Sequence, residues 1–178
     1  MLMQEVRDGR LDSLATLFER HHRTLFAFFY RMTGDRPASE DMVQDVFVRI
    51  LRYRLGYREQ GSFRGWLFRI ARNARHDFAA AHPLLEPMAD EMDVPVTAPG
   101  PAAQLEHREA AGRLRQALQL LPADKRELII LARYHGMSHD ELAVLMDSEP
   151  GTIRVRLHRA MRQLDVIFTR LQEPRHAV

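Results

Sequence analysis

Cysteine is missing from all 178 residues, which excludes disulfides, thiolate nucleophiles and cysteine-based metal sites. Lysine is nearly missing too, since of the 26 basic residues only Lys125 is not arginine. No run of about 18 or more apolar residues occurs, so no membrane span is expected. Residues 1–13 are already charged and lack the apolar core of a secretory signal. A glycine-rich phosphate loop and a nucleophile motif are also missing. These absences predict a cytoplasmic protein without catalytic activity. The formal net charge of +2 does not by itself argue for nucleic acid, so the distribution of charge has to decide. Arginine suits bidentate contacts to phosphate and guanine, although genomic base composition produces the same bias.

What is present is helical periodicity. Leu11, Leu14, Leu17, Phe18, Leu25, Phe29 and Met32 recur at helical spacing and no strand-like alternation appears. Gly34-Asp35-Arg36-Pro37 breaks the chain. A second helix over 38–52 carries Met42, Val43, Val46, Phe47, Ile50 and Leu51 on its apolar stripe. Residues 54–62 read as a polar loop. A third helix from about Phe63 to Ala81 has Trp66, Leu67, Ile70, Ala71, Ala74 and Phe78 as its candidate core. Residues 83–104 then hold five prolines and four acids, with no basic residue between Arg75 and Arg108. That density of proline cannot sustain a helix, so an acidic, flexible linker is expected. Helical spacing returns from 105 to about 172. The fold class is therefore all-α, with two small helical domains (1–82 and 105–178) joined by the linker.

The sharpest local signal lies in the second domain. Ser138-His139-Asp140-Glu141 has the form of a capping box, so a helix should begin there. Its apolar side is Leu142, Ala143, Leu145 and Met146. A short turn precedes Pro150, which suits the first turn of another helix. Two short helices with a tight turn match a DNA-binding helix-turn-helix. On the second of them Ile153, Leu157, Ala160, Met161 and Leu164 share a narrow face. Gly151, Thr152, Val155, His158, Arg159 and Arg162 lie opposite, flanked by Arg154 and Arg156. Residues 150–164 thus contain four arginines and no acid, a poor match to a merely solvated face. Arginine can bridge guanine or grip phosphate, and valine can touch a thymine methyl. The amides of Gly151 and Thr152 suit a phosphate.

The first domain has two further organised faces. Asp41, Gln44, Asp45, Val48 and Arg52 share one side of their helix, opposite its apolar stripe. The helix after Ser62 interleaves aromatics with Arg64, Arg69, Arg72 and Arg75, a composition suited to melted nucleic acid. Trp66 itself reads as core.

Asp41-Met-Val-Gln-Asp-Val-Phe47 and Phe63-Arg-Gly-Trp-Leu-Phe-Arg-Ile-Ala-Arg-Asn73 closely resemble region 2 of the extracytoplasmic-function (ECF) sigma factors of the sigma-70 family. Leu121-Pro122, Gly136-Met-Ser138, Glu141-Leu-Ala143 and Gly151-Thr-Ile-Arg-Val-Arg-Leu-His-Arg-Ala160 resemble region 4 of the same family. Order and spacing agree over nearly the whole chain. The resemblance implies a promoter-specificity subunit of RNA polymerase, acting in a stress or envelope response and needing no cofactor. It implies that Asp41, Gln44, Asp45, Val48 and Arg52 bind the clamp helices of the polymerase beta-prime subunit. Residues 54–62, with Arg64, Arg69, Arg72, Asn73, Arg75 and His76, would capture the minus-ten element as melted DNA. Gly151, Thr152, Arg154, Val155, Arg156, His158, Arg159 and Arg162 would read the minus-thirty-five element. Residues 124–133 would lie near the polymerase beta flap, and the acidic linker would thread toward the active centre. An anti-sigma partner is implied as well. The chain departs from many such proteins at residues 77–83, where a basic run is replaced by a nearly uncharged stretch.

Two other classes compete. A self-sufficient helix-turn-helix regulator would explain residues 105–172 but leaves the Asp41–Asp45 face and the aromatic-basic helix unexplained. An enzyme would have to recruit His135, His139, Asp140 and Glu141 as metal ligands. Gly136 and the Ser138 cap put the two histidines on different elements, which loses the helical ligand geometry.

Overall fold

The computed structural model describes residues 2–58, 62–82 and 101–172, with side chains from 109 onward in the last stretch. Every regular element among them is helical. The chain divides into two compact units, Met1–Glu86 and Pro87–Val178.

The first unit contains α1 (Leu2–Arg7), α2 (Leu11–Thr33), α3 (Arg36–Tyr53), a 3-10 turn (Arg54–Gly56) and α4 (Phe63–Ala81). The periodicity of residues 1–33 gives no sign of the break between α1 and α2. It occurs at Gly9, whose φ of +95° is open to glycine and strained for other residues. Glu5 then ties the two helices together, accepting from the Ser13 hydroxyl and pairing with Arg10 at 3.1 Å. The next break falls where glycine and proline predict it. Gly34 closes α2 in the left-handed conformation, its N–H donating to the Tyr30 carbonyl. Asp35 caps α3 by accepting the Ala38 N–H at 2.9 Å, satisfying one of the helix's orphan donors.

The core of this unit is aromatic and aliphatic. Leu25, Phe28, Phe29, Met42, Ile50, Leu67 and Phe68 are fully enclosed, each such side chain contributing about 1.5–3 kcal/mol. Phe28 of α2 meets Phe68 of α4 edge-on, with ring centroids 5.5 Å apart. Two members of the expected α2 stripe are exposed, and Leu14 is half-buried. Leu11, the first residue of α2, is 60% exposed. Phe18 sits at the margin, its ring stacked on His22 and edge-on to Phe47.

The second unit contains α5 (Pro101–Gln119), α6 (Ala123–Ile129), a π-helical turn (Ile130–Tyr134), α7 (His139–Met146) and α8 (Pro150–Gln172). α5 opens at Pro101, inside the stretch assigned to the linker. A proline at the first helical position lacks only an N–H that would have had no partner anyway. Linker residues 83–100 lie outside the described residues. Arg126 closes the other end of α5, donating to the carbonyls of Gln119 and Leu121, which the helix itself leaves unpaired. Leu128, Ile129, Ile130, Leu131 and Leu142 form the centre of the core, against Ile153, Leu157, Ala160 and Leu164 of α8. α6 runs directly into the π turn, closed by the His135 N–H on the Ile130 carbonyl at 3.2 Å. Gly136, at φ +60°, ends it.

Candidate nucleic-acid interface

The helix-turn-helix of α7 and α8 is bounded by local contacts at both ends of α7. The Ser138 hydroxyl accepts the Glu141 N–H at 3.1 Å, while the Glu141 carboxylate accepts the Ser138 N–H at 2.9 Å. α7 ends at Asp147, which adopts the left-handed conformation at φ +49°. Aspartate tolerates that region better than most residues. The chain reverses and Pro150 opens α8.

α8 is anchored by one face and leaves the other free. Ile153, Leu157, Ala160 and Leu164 are buried. Gly151, Thr152, Arg154, Val155, His158, Arg159 and Arg162 are exposed, and Arg156 is half-buried at the flank. The first backbone bond of the helix runs from the Ile153 N–H to the Glu149 carbonyl, so the amides of Gly151 and Thr152 precede the ladder. A Cβ placed on Gly151 would meet nothing within 4 Å. The fold therefore does not require glycine there. Lys125 of α6 braces α8 from behind, its Nζ donating to Gln163 Oε1 at 2.6 Å.

On α3, Asp41, Gln44, Val48 and Arg52 are exposed and Asp45 is half-buried. They lie opposite Met42, Val43, Val46, Phe47 and Ile50, which enter the core. Arg49, which no sequence motif singles out, pairs with Asp45 and with Asp77 of α4. Burial works against the charge on Arg49, but its bonds to Asp77 and Asp45 outweigh this and raise its pKa.

α4 begins at Ser62, whose hydroxyl accepts the Gly65 N–H at 3.0 Å. Arg69, Asn73 and His76 are exposed, and Arg64 and Arg72 are half-buried. Arg75 differs from the expectation of an exposed basic group, being only 8% exposed. It follows Phe68 and Ala71 at helical spacing on the buried side of α4. Its guanidinium can only donate, so His76 Nε2 accepts from it at 3.1 Å.

The expected polar loop also contains a buried anchor. Tyr57 is only 8% exposed and meets Trp66 at 5.0 Å and Phe63 at 6.3 Å between ring centroids. His21 of α2 lies 5.2 Å from Phe63. Burial, and secondarily the charge of Arg20, lower the pKa of His21. Trp66 is thus half-buried within an aromatic cluster at the start of α4, not sealed in the core. Tyr57 and His21 were missed because neither belongs to the apolar stripe of a helix. No described helix is long and apolar enough to cross a membrane.

Residues 17–82 match the Sigma-70 region 2 family, and residues 111–164 match Sigma-70, region 4. RNA polymerase sigma factor CarQ of Myxococcus xanthus is 32% identical over 171 residues, spanning 96% of this chain and 97% of that protein. ECF RNA polymerase sigma factor SigE of Mycolicibacterium smegmatis is 32% identical over 158 residues, spanning 86% of this chain and 61% of SigE. The same fold occurs in CnrH, solved in complex with the cytosolic domain of CnrY (TM-score 0.73, 24% identity, 95% of this chain and 96% of that one). It occurs again in the sigma factor RpoE, solved with the anti-sigma factor NepR from Bartonella quintana (TM-score 0.66, 23% identity, 87% and 96%). A region 2 unit followed by a region 4 unit built on a helix-turn-helix defines a transcription initiation factor of the sigma-70 type. Such factors bind core RNA polymerase and promoter DNA. The chain belongs to the ECF group of the sigma-70 family and directs transcription initiation.

Proposed function

We propose that residues 1–82 and 105–178 divide promoter recognition between them, with α8 reading the minus-thirty-five element and α4 capturing the minus-ten element. The observation that carries this is α8 itself. Its arginines flank or occupy the face opposite its buried stripe, behind a capped turn, without an intervening acid over residues 150–164. Gly151, Thr152, Arg154, Val155, Arg156, His158, Arg159 and Arg162 make the duplex contacts. Arg64, Arg69, Arg72, Asn73 and His76, with the aromatic cluster around Trp66, hold melted DNA. Arg75 acts from behind, orienting His76.

Core polymerase is engaged through the exposed side of α3. Asp41, Gln44, Asp45, Val48 and Arg52 meet the clamp helices of beta-prime, and the surface around residues 124–133 lies near the beta flap. The linker threads toward the active centre. An anti-sigma factor, a kind of partner with which RpoE was solved, holds this protein inactive by covering these faces until stress releases it. The protein works in the cytoplasm and is not an enzyme.

The test sets the isolated chain against the holoenzyme on one promoter fragment. Promoter-specific transcription by the reconstituted holoenzyme is expected, with weak duplex binding by the chain alone. Tight, sequence-specific retardation of duplex DNA without core polymerase would instead favour a self-sufficient regulator.

A further inference from the structure

Arg49 lies one turn beyond Asp45 on α3, and its side chain is only 21% exposed. Its Nε donates to Asp45 Oδ2 at 2.8 Å, and its NH1 donates to Asp77 Oδ2 at 2.6 Å. One guanidinium is thus shared by two acids on different helices. The Asp45–Arg49 spacing, acid first and four residues apart, is the favourable one on a helix. Asp77 is the only acid on α4. On a helix assigned to DNA capture, a bare carboxylate beside His76 would repel phosphate.

The same arrangement raises a problem on α3. Asp45 can serve a cationic partner only if Arg49 gives it up, wholly or in part. Were Asp45 its sole anion, the partly covered Arg49 side chain would give up its one ionic partner, which is unfavourable. Asp77 removes that obstacle, because Arg49 keeps one carboxylate while the other turns outward.

We propose that Arg49 is a shared cation that frees Asp45 for core polymerase by retaining Asp77. Asp77 is therefore a positioning residue for polymerase binding, although it stands on the neighbouring helix. This inference rests on the assignment of Asp45 to the polymerase face.

The experiment measures the affinity of the full chain for core RNA polymerase, without DNA, for the wild type, D45N, D77N, R49M and the R49M/D77N double variant. Thermal melts of each variant establish that it is folded. Asp77 is 65% exposed, so D77N should fold normally. D45N is expected to weaken binding. D77N should weaken it by about three- to tenfold, the size of an ordinary coupling between neighbouring groups, because Arg49 then holds Asp45 alone. Adding R49M to D77N should restore affinity toward the wild type, whereas a merely structural Asp77 predicts a double variant no better than D77N. If D45N binds normally, the polymerase-face assignment falls and takes this inference with it. If D45N is weakened but D77N binds normally, or R49M fails to rescue D77N, only the shared cation is overturned.

Discussion

Ser138 and Glu141 each satisfy the other's backbone, the hydroxyl accepting one N–H and the carboxylate accepting the other. This reciprocal pair fixes where α7, the first helix of the helix-turn-helix, starts. Replacing Ser138 by alanine is expected to cost about 1 kcal/mol. For a domain of this size that lowers Tm by roughly 4–8 °C. Calorimetry on the full chain checks it, and an unaltered transition would mean that the cap carries no weight in the fold.

Arg159 is exposed while Arg156 is half-buried at the flank of α8. Each good bidentate base contact contributes about 1–3 kcal/mol of discrimination. R159A should therefore reduce transcription from a cognate promoter by about tenfold or more, and R156A by less. Core-polymerase binding should persist in both. Transcription in vitro on matched and mismatched promoters provides the measurement; unchanged promoter choice would remove α8 from the reading role.

Gly151 separates fold from function in a single position. A methyl group added there would stand in open space, so G151A should leave the protein at least as stable, with a gain of up to about 1 kcal/mol from helix propensity. The same methyl would stand between the first amides of α8 and a phosphate. Promoter binding by the holoenzyme should fall while Tm holds or rises. A variant that binds promoter as well as the wild type would argue against a phosphate at that helix end.

His21 gives the first unit a pH dependence whose sign follows from its environment. Burial first, and Arg20 second, lower its pKa in the folded state. The fold therefore favours neutral imidazole, and protonation favours the unfolded chain. This contribution to stability is complete above the ordinary histidine value near pH ~6.5 and is lost as pH falls through the lower folded value. Melts across mildly acidic pH should show Tm falling in the wild type and falling less in H21F. Parallel curves for the two proteins would exclude His21 as the cause.

The helix-turn-helix was legible because its signals are local. A capping pair at 138 and 141, a proline at 150 and an apolar stripe on α8 each act within a few residues. The exposed face of α3 was legible for the same reason, since a single helix sets its periodicity. What sequence reading missed depends on contacts between elements. Arg75 has the composition of a DNA contact but sits on the buried side of α4, and only the helices packed against it decide that. Tyr57 looked like part of a polar loop until its partners on α4 were in place. Arg49 is one arginine among many until Asp77, distant in sequence, is brought within reach. Leu11 fits the stripe of α2 by spacing, yet as the helix's first residue it remains exposed.

The π turn at Ile130–Tyr134 makes the second unit sensitive to residue number in a way that composition does not capture. It accommodates one residue more than an α-helical turn would. Because the wider turn absorbs that residue, removing one would let the α ladder run on with the downstream direction nearly kept, whereas adding one to a turn already widened would rotate everything downstream by about 100°. Gly136 and the Ser138 cap would then leave in a different direction, carrying α7 and the basic face of α8 with them. Substitutions on the solvent side of this stretch, such as at Tyr134, should be absorbed. A one-residue insertion should not: it would keep the helical content seen by circular dichroism and abolish promoter reading. The turn thus acts as a phase setter between the core of the unit and the helix that it aims.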